Sequence, residues 1–221
     1  MNRKLYLRIG TASLALAGVL FALFPLTRPW QDATATDAGL IAATASSWWI
    51  TSHLFGALAF VLLALATTAV LGVLMNTRGE PAGRSMALLT MLGVGLILPY
   101  YGAESFGLHA VAAAPELSDP VARIALLDAI RNDPFALSTF GAGWLLIGAA
   151  GILLAVAVIR AGYGTALPAI SVAVLLALYL PQFFGPPWLR IFHGLLLGVS
   201  LILFAGWHAR VARASLRGIQ R

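Results

Sequence analysis

Residues 48–75 read WWITSHLFGALAFVLLALATTAVLGVLM, without an Asp, Glu, Lys or Arg in the whole run. About 20 helical residues cross the roughly 30 Å hydrocarbon layer of a bilayer, so this stretch is long enough to span. It is continuously apolar rather than alternating, and unpaired backbone cannot face lipid, so it reads as helix and not strand. Five further stretches have the same character: 7–25, 86–108, 137–158, 163–184 and 188–207. The expectation is an all-α integral membrane protein, a six-transmembrane-helix bundle forming one domain over 1–221. The fifth stretch is the weakest, because Pro168 and Pro181 bracket an apolar run that is short for a crossing.

Composition agrees with this reading. Sixty per cent of the residues are hydrophobic and 10% are charged, against about 25% charged in a soluble domain. Orientation follows from the basic residues. With the N-terminus inside, Arg3, Lys4, Arg8, Arg78, Arg84, Arg160, Arg210, Arg213, Arg217 and Arg221 are cytoplasmic, and Arg28, Arg123, Arg131 and Arg190 lie outside. Ten against four satisfies the positive-inside rule and places both termini in the cytoplasm of a cell membrane. The net charge of +6 then reflects topology and contact with anionic headgroups, with no nucleic-acid partner implied. A basic start, an apolar run and Ala33, Thr34, Ala35 imitate a secretory signal. The run is longer than a signal core of roughly 7–15 residues, so an uncleaved first span is expected. The chain has no cysteine, which excludes disulfides, thiolate metal sites and cysteine nucleophiles.

Two long outer connections stand out. The first, 27–47, is rich in Ala, Thr and Asp and offers no firm structure. The second, 111–134, contains a short amphipathic helix: Asp119 caps it, Pro120 fits its first position, and Asn132, Asp133 and Pro134 stop it. Its apolar arc is Val121, Ala125, Leu126, Ala129 and Ile130, with Arg123, Asp128 and Arg131 opposite. A faint internal echo pairs Phe55, Gly56, Ala57 with Phe140, Gly141, Ala142, and Leu98, Pro99 with Leu180, Pro181. It is compatible with a duplicated helix pair and equally with coincidence.

Polar residues gather toward the outer side. Trp48 and Trp188 mark outer helix ends as an interfacial belt would, and His53 and His193 each follow by five residues. At 1.5 Å per residue, both imidazoles sit roughly 7–8 Å below that belt. The third span carries Tyr100, Tyr101, Glu104 and Ser105 to the same level, with His109 beyond. Pro99 should kink this helix and free the carbonyl of Gly95. A carboxylate in a span needs a partner or a wet cavity. The candidate partners of Glu104 are His53, His193, Arg190 and the two tyrosines, unless it sits close enough to the interface to meet water.

Three readings of this cluster are open. In the first, His53 and His193 ligate a b-type haem from both faces, Arg190 pairs with a propionate, and electrons pass to a membrane redox partner. In the second, His53, Glu104, His109 and His193 surround zinc or another divalent ion. The spacing is not diagnostic, and no H-E-x-x-H sequence occurs. In the third, the histidines are interfacial hydrogen-bonding residues, and the protein is a non-enzymatic accessory or a transporter of an apolar substrate. His208, at the cytoplasmic end of the sixth span, belongs to none of these; helix-end bonding or lipid contact suffices. No nucleophile elbow or phosphate loop is present. Gly194 and Gly198, with Gly141 and Gly148, offer close-approach faces for internal packing or for a homo-oligomer.

Overall fold

The computed structural model describes residues 2–34 and 36–218, so Ala35 of the signal-like triplet and Arg221 of the basic tail lie outside the described residues. Every regular element among them is helical. Asn2 caps α1 (Arg3–Thr27) through Lys4 N, and Ser46 caps α3 (Ser47–Leu74) through Trp48 N. The connection between them holds a 3₁₀ turn, Gln31–Thr34, and α2 (Asp37–Ala45) capped by Thr36, where the sequence promised nothing regular. The Thr36 cap and the small, apolar Ala and Leu residues that follow are enough for two turns of helix.

The third span is one long rod in three parts: α4 (Glu80–Gly102), a wide π turn (Ala103–Gly107) and α5 (Leu108–Ala113). α4 runs through Pro99, and a further irregularity falls just beyond it. The amide of Ala103 is shared between the carbonyls of Pro99 and Tyr100, and the ladder then widens so that Leu108 N bonds Ala103 O. α6 (Pro120–Arg131) is capped by Asp119, and α7 (Pro134–Ala161) by Asp133. Gly162 closes α7 at φ +70°, a conformation suited to glycine.

α8 (Leu167–Ala177) and α9 (Tyr179–Gln182) replace the continuous fifth span. Proline at 181 has no N–H to give the carbonyl of Ala177, so the α ladder fails near Leu178. The eleven residues of α8 cover roughly 16 Å, about half a hydrocarbon layer. Among the described residues, five helices are long and apolar enough to cross a membrane: Arg3–Thr27, Ser47–Leu74, Glu80–Ala113, Pro134–Ala161 and Pro187–Leu216, the last being most of α10 (Pro187–Gly218).

The long helices and α8 form a closed ring in chain order. α1 packs on α3 and α10, α4 on α3 and α7, and α8 on α7 and α10. Outward-facing Leu58, Leu65, Leu145, Ile152 and Leu203 are each more than half exposed, a belt suited to acyl chains. Without a hydrophobic force between helices in lipid, contact depends on close approach. A Cβ at Gly198 would lie 2.6 Å from Gly18 O, and one at Gly194 2.5 Å from Pro25 Cγ, so this face packs internally against α1. Gly148 likewise meets α8 at Ala177.

Two further expectations are corrected. His208 touches no lipid: fully buried, it bridges α1 and α3, Nδ1 at 2.9 Å from Thr11 Oγ1 and Nε2 at 3.3 Å from Ala69 O. A buried imidazole needs such partners, and the interior of the ring supplies them. The apolar arc of α6 is also turned from the one expected. Leu127 is buried, Ile124 and Ile130 are partly so, and Val121 is 77% exposed. Arg123 and Arg131 reach toward protein carbonyls and carboxylates, so polar partners act together with the Ile124, Leu127 and Ile130 stripe to orient the helix. With α2, α5 and Trp49, α6 makes a small second core at the end of the bundle that bears the two long connections.

Candidate functional site

A cavity of about 610 Å³ opens at that end, between the ring of helices and the long connections. Phe24 of α1, Tyr101 of α4, Phe140 of α7, and Tyr179 with Phe183 at the α9 break supply an aromatic wall. Tyr179 stacks on Trp144 at 4.0 Å, and Phe60 closes edge-on against Phe21, Tyr101 and Trp144, which seals the inner side.

The polar lining comprises Arg28, Asp32, His53, Glu104, Arg131, Gln182, Arg190 and His193, with Asn132 at the rim. The cavity thus gathers His53, His193, Glu104 and Arg190 from α3, α10, the π turn and the start of α10. His109 is not among its lining residues. Its Nδ1 bonds the carbonyl of Thr44 at 2.9 Å, in the second core. Among the described residues, no group of three or more His, Cys, Asp or Glu side chains is placed to share a metal ion.

Glu104 is 9% exposed and embedded in bonds rather than in water. Its Oε1 accepts from Arg131 Nε at 3.1 Å and lies 3.2 Å from the Tyr100 hydroxyl, which also reaches the carbonyl of Arg131 at 2.9 Å. The π turn presents the backbone carbonyl of Glu104 to the indole of Trp49, 2.6 Å away. Burial disfavours the charge on Arg131, but Glu104 and Asp32 outweigh it and raise its proton affinity above the usual arginine value.

Arg28 grips Asp32 with both nitrogens, at 3.0 and 2.5 Å, and lies over the rings of Trp30 and Trp49. Asp32 also stands 3.5 Å from Arg131. Arg190 is held differently: its Nε donates to Gly185 O at 3.2 Å and its NH2 to Phe183 O. No carboxylate among the described residues lies within ion-pair distance of it.

Backbone carbonyls select the histidine tautomers, because a carbonyl only accepts. His53 donates from Nδ1 to Trp49 O at 2.7 Å, which leaves Nε2 bare in the neutral ring, 3.9 Å from Glu104 Oε2. His193 donates from Nε2 to Leu175 O at 2.8 Å, which leaves Nδ1. Iron ligation through Nε2 is therefore open to His53, whereas His193 would have to release Leu175 first or bind through Nδ1. Arg28, Asp32, Arg131 and Trp49 were missed as site residues. The basic side chain ending an amphipathic helix, opposite a solitary intramembrane carboxylate, was the signal for Arg131.

A scan against protein-family models finds no match for the chain, and searches of curated proteins and of solved structures find none at the significance required.

Proposed function

We propose that this protein crosses a cell membrane six times with both termini cytoplasmic, α8 and α9 serving as a broken fifth crossing, and that it binds a membrane-soluble amphiphile as a non-enzymatic carrier or accessory. The cavity then faces the outer leaflet. One observation carries this reading: a single cavity joins an aromatic wall to a rim of guanidinium groups and carboxylates. Ligand sites are mostly apolar with a few placed polar groups, and helix interruptions at a site are common in membrane carriers. The test is purification in mild detergent, solvent extraction and mass spectrometry of what is released. The reading expects about one amphiphile per chain, displaced in Gly141→Trp, which grows a side chain into open space beside the cavity. Equal, background amounts in both proteins would sink it.

A second reading has its own support. His53, His193 and Arg190 line the same cavity, as a b-type haem with a propionate partner requires. The group would supply electron transfer, and the chain would hold it with those side chains. A reduced-minus-oxidised visible spectrum decides: a haem band absent in both His53→Ala and His193→Ala favours it, and a colourless parent protein removes it. Metal analysis of the same preparation tests zinc at the set His53, Glu104, His109 and His193. That reading requires His109 to leave Thr44 and join the other three.

A further inference from the structure

We propose that the amphiphile is a monoanion, its head seated on Arg190 and its apolar body leaving toward lipid between α7 and α9. This rests on the cavity-binding reading above and adds the charge and the direction.

Charge counting inside the cavity gives the first part. Three guanidinium groups line it, Arg28, Arg131 and Arg190, against two carboxylates, Asp32 and Glu104. Asp32 is committed to Arg28 and Arg131, and Glu104 to Arg131. With both histidines neutral, one positive charge is left over, and it belongs to Arg190. A half-buried guanidinium with no carboxylate in ion-pair range among the described residues is under-compensated, so the balance favours a ligand carrying one negative charge. Two bonds to backbone carbonyls hold the Arg190 guanidinium in place and leave further N–H donors for that head. The Tyr101 hydroxyl, on a residue 4% exposed in the cavity wall, has that of Tyr179 as its polar neighbour on the same wall.

The lining gives the second part. Leu137 and Gly141 of α7 face Leu180 and Phe184 around α9. Phe184 is 89% exposed and Leu137 40%, and nothing fills the space beside Gly141. This side is apolar and accessible, whereas Arg28, Trp30 and Asp32 make a polar part of the lining. A carboxylate or phosphate-ester head on an acyl-like chain matches both features.

The experiment reads quenching of tryptophan fluorescence, Trp30 being on the lining, in phosphatidylcholine nanodiscs. Dibromostearic acid is compared with the matching dibromostearyl alcohol. The acid should bind about tenfold or more tightly, the discrimination a desolvated charge-assisted pair gives. Arg190→Gln, and separately the near-isosteric Gln182→Glu that places a carboxylate on the lining, should each bring the ratio toward one. Glu116→Gln, exposed and outside the cavity lining, should leave it unchanged. Equal binding of acid and alcohol by the parent overturns the charge assignment and spares the cavity reading. Quenching by neither, beyond that in empty discs, overturns both. Displacement of the acid by equimolar inorganic phosphate overturns the amphiphilic body and leaves a soluble-anion site.

Discussion

Arg131 and Glu104, 27 residues apart in the chain, meet with Nε 3.1 Å from Oε1, so the end of an amphipathic loop helix is fastened to the π turn of a spanning helix. This pair links the second core to the cavity. It also gives the carboxylate of a long apolar helix a cation, which a buried charge normally requires.

Arg131→Met should therefore destabilise the protein. Removing one member of a fully buried pair costs roughly 3–5 kcal/mol, and the 24% exposure of the Arg131 side chain places the loss at or below the lower end. Thermal unfolding in detergent measures it. The double variant Arg131→Met, Glu104→Gln should recover part of the loss, because no unpaired carboxylate is left. Additive losses would contradict the pairing argument.

Trp49→Phe keeps an aromatic ring in the fully buried site and deletes the donor to Glu104 O. Leaving that carbonyl unsatisfied should cost about 1–3 kcal/mol. Hydrogen exchange should accelerate at the amides of 103–108 more than at mid-α4. Uniform acceleration along the rod would mean that the indole bond does not hold the π turn.

Gly198→Ala drives a methyl group to 2.6 Å from the carbonyl of Gly18, and backbone cannot yield as a side chain does. Forced separation of α1 and α10 should cost about 1–3 kcal/mol. Gly206→Ala, eight residues along the same helix with nothing within 4 Å of its Cβ, should be neutral or slightly stabilising. Thermal midpoints of the two variants compare the effects directly. Equal midpoints would remove close approach as the reason for glycine at 198.

The membrane orientation of the Glu80–Ala113 helix has a direct check, since the chain contains no cysteine. A single Glu116→Cys, exposed in the second long connection, should react with a membrane-impermeant maleimide on intact cells. Arg78→Cys, exposed in a short link at the other end, should react only after permeabilisation. The reverse pattern inverts the orientation, and labelling of both from outside excludes it.

The helical class was legible because length and apolarity are local properties: 48–75 is long and apolar enough for a spanning helix whatever surrounds it. So was the cap of α6, Asp119, since a cap acts on amides two or three residues away. The π turn at Glu104 was not, because Pro99 drew attention to itself while the widening came after Gly102. Nor was the face of α6: a helical wheel ranks apolarity, and Leu127 and Arg131 turn inward for partners on α2, α5 and the π turn.

Sequence alone determined the all-helical, lipid-compatible architecture, because hydrophobic length and the scarcity of charge restrict a chain to helices without any knowledge of neighbours. It also singled out His53, Glu104, Arg190 and His193 as polar groups expensive enough to need a reason. Only the tertiary structure decided that these four share one cavity and that His109 turns to Thr44 instead. The same holds for the pairing of Arg28 and Arg131 with the two carboxylates, while Arg190 bonds backbone carbonyls. Pairing and convergence depend on how rods from distant parts of the chain are rotated about their axes, and that rotation is set by glycine contacts and buried hydrogen bonds that no single segment encodes.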